Sequence, residues 1–182
     1  MTDDIDAAAA LKASVTVGGE AEHLAQDRMA HLVRYVARGV TRSLQLRLTD
    51  HGVQFGGWVF LRILWEQDGL SQRDLSKRAG LMEPTTHTAL RKLEALGYLT
   101  RKHPPGDRKR LLVYLTQEGK DARKVLQPLA EDVNETSLRG LSEQQIADLR
   151  SALLVMARNL DEDEAAALRD GVSVPATRSH AV

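Results

Sequence analysis

The chain has 182 residues, which suits one domain with short arms, because single hydrophobic cores typically span on the order of 100–200 residues. It contains no cysteine, so disulfide bonds, thiolate metal sites and thiol-based redox sensing are excluded. Its formal net charge is zero, yet the segment from Ser71 to Arg110 carries ten basic and four acidic side chains. A basic segment within an acidic chain favours a polyanionic partner, whereas an ordinary solvated surface would have interspersed signs.

The N-terminus carries Asp3, Asp4 and Asp6, where a secretory signal would be positively charged. No uninterrupted apolar run is long enough to span a bilayer. We therefore expect a cytoplasmic protein with no membrane partner. Residues 1–19 form an Ala-rich N-terminal arm, for which a frayed segment and a short extra helix are both open.

Two helices are predicted before the centre of the chain. From residue 20 to 48, apolar residues recur at three- and four-residue steps, which predicts a long helix, and a turn at His51 completes the region 20–54. Phe55 to Gln67 should form the next helix, rich in aromatic side chains and therefore largely buried. The simplest interpretation of its Trp58 is a core residue.

The segment from Leu70 to Thr116 predicts two short helices followed by a two-stranded wing. The first helix opens with a capping box at Ser71 and ends at Gly80, and the second begins at Glu83 and Pro84. Alternating side chains predict strands over Tyr98–His103 and Arg110–Leu115, joined by a turn at residues 104–106.

Two helices should follow the wing. Thr116 is expected to cap one that runs to about Arg139 and bends at Pro128. The last has Ser142 as its cap, and its apolar residues form a narrow seam suited to packing against another helix: Ile146, Leu149, Leu153, Met156 and Leu160. Residues 165–182 are predicted to be a disordered tail.

The motifs in this central segment resemble those of the MarR family of bacterial transcription regulators. They are Leu70-Ser71, Leu93-Glu94-X-X-Gly97-Tyr98-Leu99, Gly106-Asp107-Arg108-Lys109 and Leu115-Thr116-X-X-Gly119. The resemblance extends roughly from Leu24 to Leu160. It implies a mainly α fold with a small β wing: a winged helix-turn-helix DNA-binding domain at 55–116, flanked by N-terminal (20–54) and C-terminal (117–164) dimerisation helices.

The second short helix is the expected recognition helix. With Leu90, Leu93 and Gly97 inward, Thr86 falls on the packed side, and the outward residues are small or polar, as a major-groove helix requires. The family usually places Arg two residues after the wing Asp, where this chain has Lys109. We favour Arg108 as the minor-groove insert, because planar Arg suits that groove better, and Lys109 as a phosphate contact. The predicted DNA-binding residues are Thr85, His87, Thr88, Arg91, Lys92, Lys102, Arg108, Lys109 and Arg110.

The resemblance implies a ligand-responsive homodimer that binds an inverted repeat in double-stranded DNA. We expect a repressor released by a small aromatic compound such as an aromatic carboxylate. In the family, residues of the first two helices line a ligand cleft. The residues predicted by position and chemistry to bind the effector are Arg34, Arg38, His51, Trp58 and Arg62.

Two other function classes compete with this prediction. An enzyme is disfavoured because the sequence has no Gly-rich phosphate loop and its histidines are scattered without metal-ligand spacing, so no cofactor or metal is expected. A winged helix that binds only protein, without a small-molecule effector, is the alternative. The basic wing tip argues against it.

Overall fold

The computed structural model describes residues 27–104, 106–107 and 110–173. The predicted N-terminal arm, the start of the first helix, Arg108, Lys109 and the end of the tail lie outside this range. Within it, no helix has both the length and the apolar character needed to cross a membrane.

The described chain is mostly helical and divides into two compact units, one ending at Arg42 and one beginning at Ser43. The first helix contains the boundary between them. In chain order the elements are α1 (Met29–Thr49), α2 (Phe55–Glu66), β1 (Leu70–Ser71), α3 (Gln72–Ala79), α4 (Glu83–Ala95), β2 (Leu99–Lys102), β3 (Leu112–Leu115), α5 (Gln117–Asp121), α6 (Arg123–Leu138) and α7 (Glu143–Arg169).

The strands form one antiparallel sheet in the order β1-β3-β2. Leu99 lies opposite Leu115 and Lys102 opposite Leu112, so β2 and β3 are the predicted wing, although both are shorter than predicted. Strand β1 was not predicted. It pairs Leu70 with Val113 and exists because the buried Leu70 brings the chain alongside β3.

The core of the second unit brings α2, α3, α4 and the sheet together. Phe60, Leu75 and Leu90 from the three helices are each fully buried. Gly57 of α2 faces Leu93 of α4, and a Cβ built on this glycine would lie 3.1 Å from Leu93 Cδ2. The missing side chain thus allows α2 and α4 to approach closely.

A glutamine positions the start of α2. Gln45 Oε1 accepts a hydrogen bond from Phe55 N–H at 2.7 Å, and Gln45 Nε2 donates to Val53 O at 3.3 Å. Because Gln45 belongs to the last turns of α1, these bonds fix the short connection between α1 and α2.

The helix predicted from Thr116 to Arg139 is interrupted at Ala122, which separates α5 from α6. The predicted cap is confirmed, since Thr116 Oγ1 accepts from Gly119 N–H at 3.0 Å. Thr116 N–H also donates to Tyr98 O at 3.0 Å. These bonds attach α5 to the end of the wing.

The last helix, α7, begins with the predicted capping box. Ser142 Oγ accepts from Gln145 N–H at 3.3 Å, and Gln145 Oε1 accepts from Ser142 N–H at 2.8 Å. The helix continues to Arg169, so the predicted end at residue 164 is too early, because Ala165, Ala166 and Ala167 are strong helix formers. None of its 27 residues is buried.

Candidate nucleic-acid interface and adjoining groove

Helix α3 and the turn after it set the position of the recognition helix. Ser71 Oγ accepts from Asp74 N–H at 3.1 Å and caps α3, while its own hydrogen is donated to Asp74 Oδ2 at 2.6 Å. This hydroxyl donor holds the pKa of the Asp74 carboxyl below its ordinary value. At the other end Gly80 adopts a left-handed conformation with φ +60°, which glycine tolerates without strain. Ser76 Oγ then donates to Leu81 O and closes the turn into α4.

The recognition helix α4 buries one face and exposes the other. Thr86, Leu90 and Leu93 are at most 1% exposed, as the sequence predicted for the packed side. The predicted DNA-binding residues of this helix all lie on the exposed side: Thr85, His87, Thr88, Arg91 and Lys92. Thr88 Oγ1 donates to Pro84 O at 3.0 Å, which leaves its oxygen as an acceptor.

Two glutamines from outside α4 bind side chains on its exposed face. Lys92 Nζ donates to Gln54 Oε1 at 2.7 Å, and Gln54 is the residue immediately before α2. His87 Nδ1–H donates to Gln72 Oε1 at 3.2 Å, and Gln72 is the first residue of α3. Helical spacing separates His87 and Lys92 onto opposite edges of the exposed face.

Hydrogen bonds connect described residues of the wing to one another, and an ion pair connects the wing to α4. His103 Nδ1–H donates to Arg110 O at 2.8 Å, across the base of the wing turn. Asp107 Oδ1 accepts from Arg110 N–H at 3.2 Å. Arg101 Nε lies 3.4 Å from Glu94 Oε2, which connects β2 to the recognition helix. Lys102 and Arg110 are both exposed on this wing.

A groove of about 630 Å³ separates the start of α2 from the Lys92 edge of α4. We call it the recognition groove. Its walls are mostly apolar and its polar groups are few. The lining residues are Gly52, Gln54, Gly56, Gly57, Thr85, Thr88, Ala89, Lys92, Leu93, Ala95 and Leu96.

The residues predicted to bind an effector are not gathered at one surface of the second unit. Trp58 is 3% exposed, and its ring meets Trp65 edge-on with centroids 5.5 Å apart. The structure thus places Trp58 in the core, in agreement with the simpler interpretation. His51 is half-buried and Arg62 is exposed, while Arg34 and Arg38 are exposed residues of the first unit.

Comparison with known proteins gives the family. A family model described as the MarR family matches residues 57–111, the stretch from α2 to the wing. The transcriptional repressor NicR of Pseudomonas putida is 27% identical over 139 residues, which cover 76% of this chain and 85% of NicR. The family model and this relative support placing the chain in the MarR family.

Solved structures of MarR-family proteins share its fold. A regulator from Listeria monocytogenes, solved with a 26mer DNA, has a TM-score of 0.67 and 20% identity, covering 82% of this chain and 99% of that one. Rv2887 of Mycobacterium tuberculosis, solved with salicylic acid, has a TM-score of 0.60 and 23% identity, covering 71% and 96%.

Sequence reasoning missed two polar contacts of this protein, those of Gln54 and Gln72. Gln54 stands 38 residues from its partner and Gln72 stands 15 residues from its own. No local pattern marks either pair, because each depends on how separate helices pack. The glutamine at the start of α2 and the one at the start of α3 are visible in the sequence, but their partners are not.

Proposed function

We propose that this MarR-family regulator is a homodimeric repressor that binds an inverted repeat in double-stranded DNA and is released by a small aromatic acid. Acting on chromosomal DNA would place it in the cytoplasm. The observation that carries the DNA-binding part is the exposed face of α4, where small polar side chains and two cations stand beside a basic wing. Such a face can approach base edges closely while the cations meet phosphates.

Homodimerisation is supported by the exposed apolar residues of α7. Leu149, Leu153 and Leu160 are 43%, 42% and 66% exposed, and the predicted seam places them along one side of the helix. Apolar residues in such a row mark an interaction surface. A dimer would also supply the second recognition helix that a genomic search requires, since one module makes too few contacts.

The recognition groove supports the effector part of the proposal. Its apolar walls suit an aromatic ring, and Lys92 at its edge offers a cation for a carboxylate. An acid bound there would compete with DNA for Lys92. Ligand binding would then lower the affinity for DNA, because the ligand prefers the DNA-free state of the protein. Linkage requires bound DNA to lower the affinity for the ligand by the same factor. The salicylic acid complex of Rv2887 supports this chemical class of ligand.

DNA binding is tested by footprinting on genomic fragments. The protected site should be an inverted repeat with half-site centres about one helical turn apart, ~10 bp, as a two-fold dimer requires. Protection without a dyad would contradict the dimer model. If the protein retards no genomic fragment in a gel-shift experiment at low salt, the alternative is favoured, a winged helix that binds only protein.

Two substitutions separate base recognition from phosphate binding. Arg91→Ala should relax base preference and cost roughly 1–3 kcal/mol if Arg91 reads a base edge. Lys102→Ala should weaken binding to all DNA sequences alike and reduce the salt dependence of binding. Identical behaviour of the two variants would contradict the division of roles.

The effector is tested by a thermal-shift screen with aromatic acids. An acid that raises the melting temperature should lose this effect in Lys92→Gln and keep it in Arg62→Gln, which removes an exposed cation from α2. The opposite pattern would favour the site predicted from the sequence around Arg62. The identified acid should also bind more weakly when operator DNA is present, and equal affinities in the two titrations would exclude a regulatory role.

A further inference from the structure

Gln72 contacts the imidazole of His87 on the exposed face of α4. Gln72 turns its carboxamide oxygen toward His87 Nδ1 at a distance of 3.2 Å, and because an amide oxygen can only accept, this orientation of Gln72 places the hydrogen of the neutral imidazole on Nδ1. The other ring nitrogen, Nε2, is then an unprotonated acceptor. It lies on the side of the ring away from Gln72.

We propose that Gln72 is a specificity-determining positioning residue, which presents His87 Nε2 as an acceptor for an exocyclic amino group in the major groove. This inference rests on the proposed DNA binding by α4. In the major groove only adenine N6 and cytosine N4 offer donors, whereas guanine and thymine present acceptors at the equivalent positions. His87 held in this tautomer therefore selects adenine or cytosine at one position of each half-site.

The positions of the two residues explain why the contact affects base selection. His87 lies in the first half of α4, where a recognition helix approaches the bases, and it is exposed. Gln72 is half-buried at the start of α3 and contacts His87 in the DNA-free protein. An imidazole without this partner would exchange between two tautomers. Its Nε2 would then be a donor part of the time and would discriminate less between bases.

The tautomer itself is tested by NMR on the full-length, DNA-free protein labelled with ¹⁵N. Two-bond ¹⁵N–¹H correlations should show His87 with protonated Nδ1 and unprotonated Nε2 at a pH where the ring is neutral. Gln72→Met, which keeps the length of the side chain but removes the acceptor, should shift the population toward the Nε2–H form. A wild-type His87 already in that form, or a tautomer unchanged in Gln72→Met, would overturn the proposal.

Base selection is tested by in vitro selection from randomised duplex DNA. Wild type should select adenine or cytosine at one position per half-site. Gln72→Met and His87→Ala should each reduce that preference roughly three- to tenfold, the size expected of one hydrogen bond. The double variant should lose no more of the base preference than either single variant, because both changes remove the same contact. Gln117→Met, at the first residue of α5, is the matched control and should leave the preference unchanged.

Different failures of the selection have different meanings. If Gln72→Met weakens binding to all sequences alike, or relaxes a position other than the one relaxed by His87→Ala, Gln72 contacts phosphate or supports the fold and the proposal is wrong. If the wild-type protein selects no sequence while the NMR result holds, the proposed DNA binding fails, and base selection by His87 fails with it. Circular dichroism melting of each variant shows whether it is folded.

Discussion

The winged domain and the last helix differ sharply in what they bury. Phe60 and Leu90, in the winged domain, are fully buried, whereas Leu154 and Leu160 of α7 are 65% and 66% exposed. The winged domain therefore owes its structure to contacts within one chain. The apolar residues of α7 have no comparable burial among the described residues, which is the pattern of a surface that needs a partner.

The largest effect should come from breaking that surface. Leu153→Asp places a charge in the predicted seam and should dissociate the dimer, because burying an unpaired carboxylate is costly. DNA affinity should fall by about a hundredfold or more, since linking two binding modules raises the combined affinity by ~10²–10⁴. Light scattering and gel shifts measure the two effects. Ser151→Asp adds the same charge to an exposed polar position of α7 and should change neither.

A stable wild-type monomer at micromolar concentration would contradict this account of α7. So would a Leu153→Asp variant that remains a dimer. In either case the exposed row of leucines would need a different partner.

The next effect concerns stability and compares one leucine from each region. Leu93→Ala should lower the free energy of unfolding by roughly 2–5 kcal/mol, because it leaves a cavity between α2 and α4. Leu154→Ala, off the predicted seam, should change stability by no more than about 0.5 kcal/mol. Urea unfolding monitored by circular dichroism measures both. Similar losses would mean that α7 is packed more tightly than its exposure indicates.

A third prediction compares two glycines. A Cβ on Gly119 would lie 2.1 Å from the carbonyl oxygen of Tyr98, so Gly119→Ala must displace backbone and should cost on the order of 1–3 kcal/mol. Gly39→Ala, within α1, meets nothing within 4 Å and should stabilise the helix by up to about 1 kcal/mol. Opposite shifts of the melting temperature are expected. A neutral Gly119→Ala would show that the attachment of α5 to the wing is loose.

The smallest effect distinguishes the two serine caps. Ser71→Ala and Ser142→Ala should each lower the free energy of unfolding by about 1 kcal/mol. Only the first should depend on pH, because its partner Asp74 titrates and Gln145 does not. The pKa of Asp74 is lowered in the folded protein, so its contribution is present above the unfolded pKa and is lost as the pH falls through the folded pKa. An NMR titration should show this pKa returning toward its ordinary value in Ser71→Ala.

Local signals predicted the features that local chemistry determines. The caps at Ser71, Thr116 and Ser142 were all visible in the sequence, because each bonds a residue three positions away. The packed side of α4, including Thr86, followed from helical periodicity.

Features that depend on distant partners were missed. Strand β1 has two residues and too little length for alternation, and the break at Ala122 is hidden because the apolar pattern continues through it. At the candidate site, the exposed residues of α4 could be chosen in advance. The glutamines that hold two of them, and the burial of Trp58, depend on packing between helices that one sequence does not display.

The two tryptophans of the chain allow its core to be followed by intrinsic fluorescence. Trp58 and Trp65 are its only tryptophans, and their rings meet edge-on, with Trp65 Nε1 donating to Gly119 O at 2.8 Å. Trp65 thus reports on the junction of α2 with α5, and the buried Trp58 reports on the core beside it. A red shift of the emission should accompany unfolding at this junction. Time-resolved emission could then follow movement of α2 in the intact regulator without any attached dye.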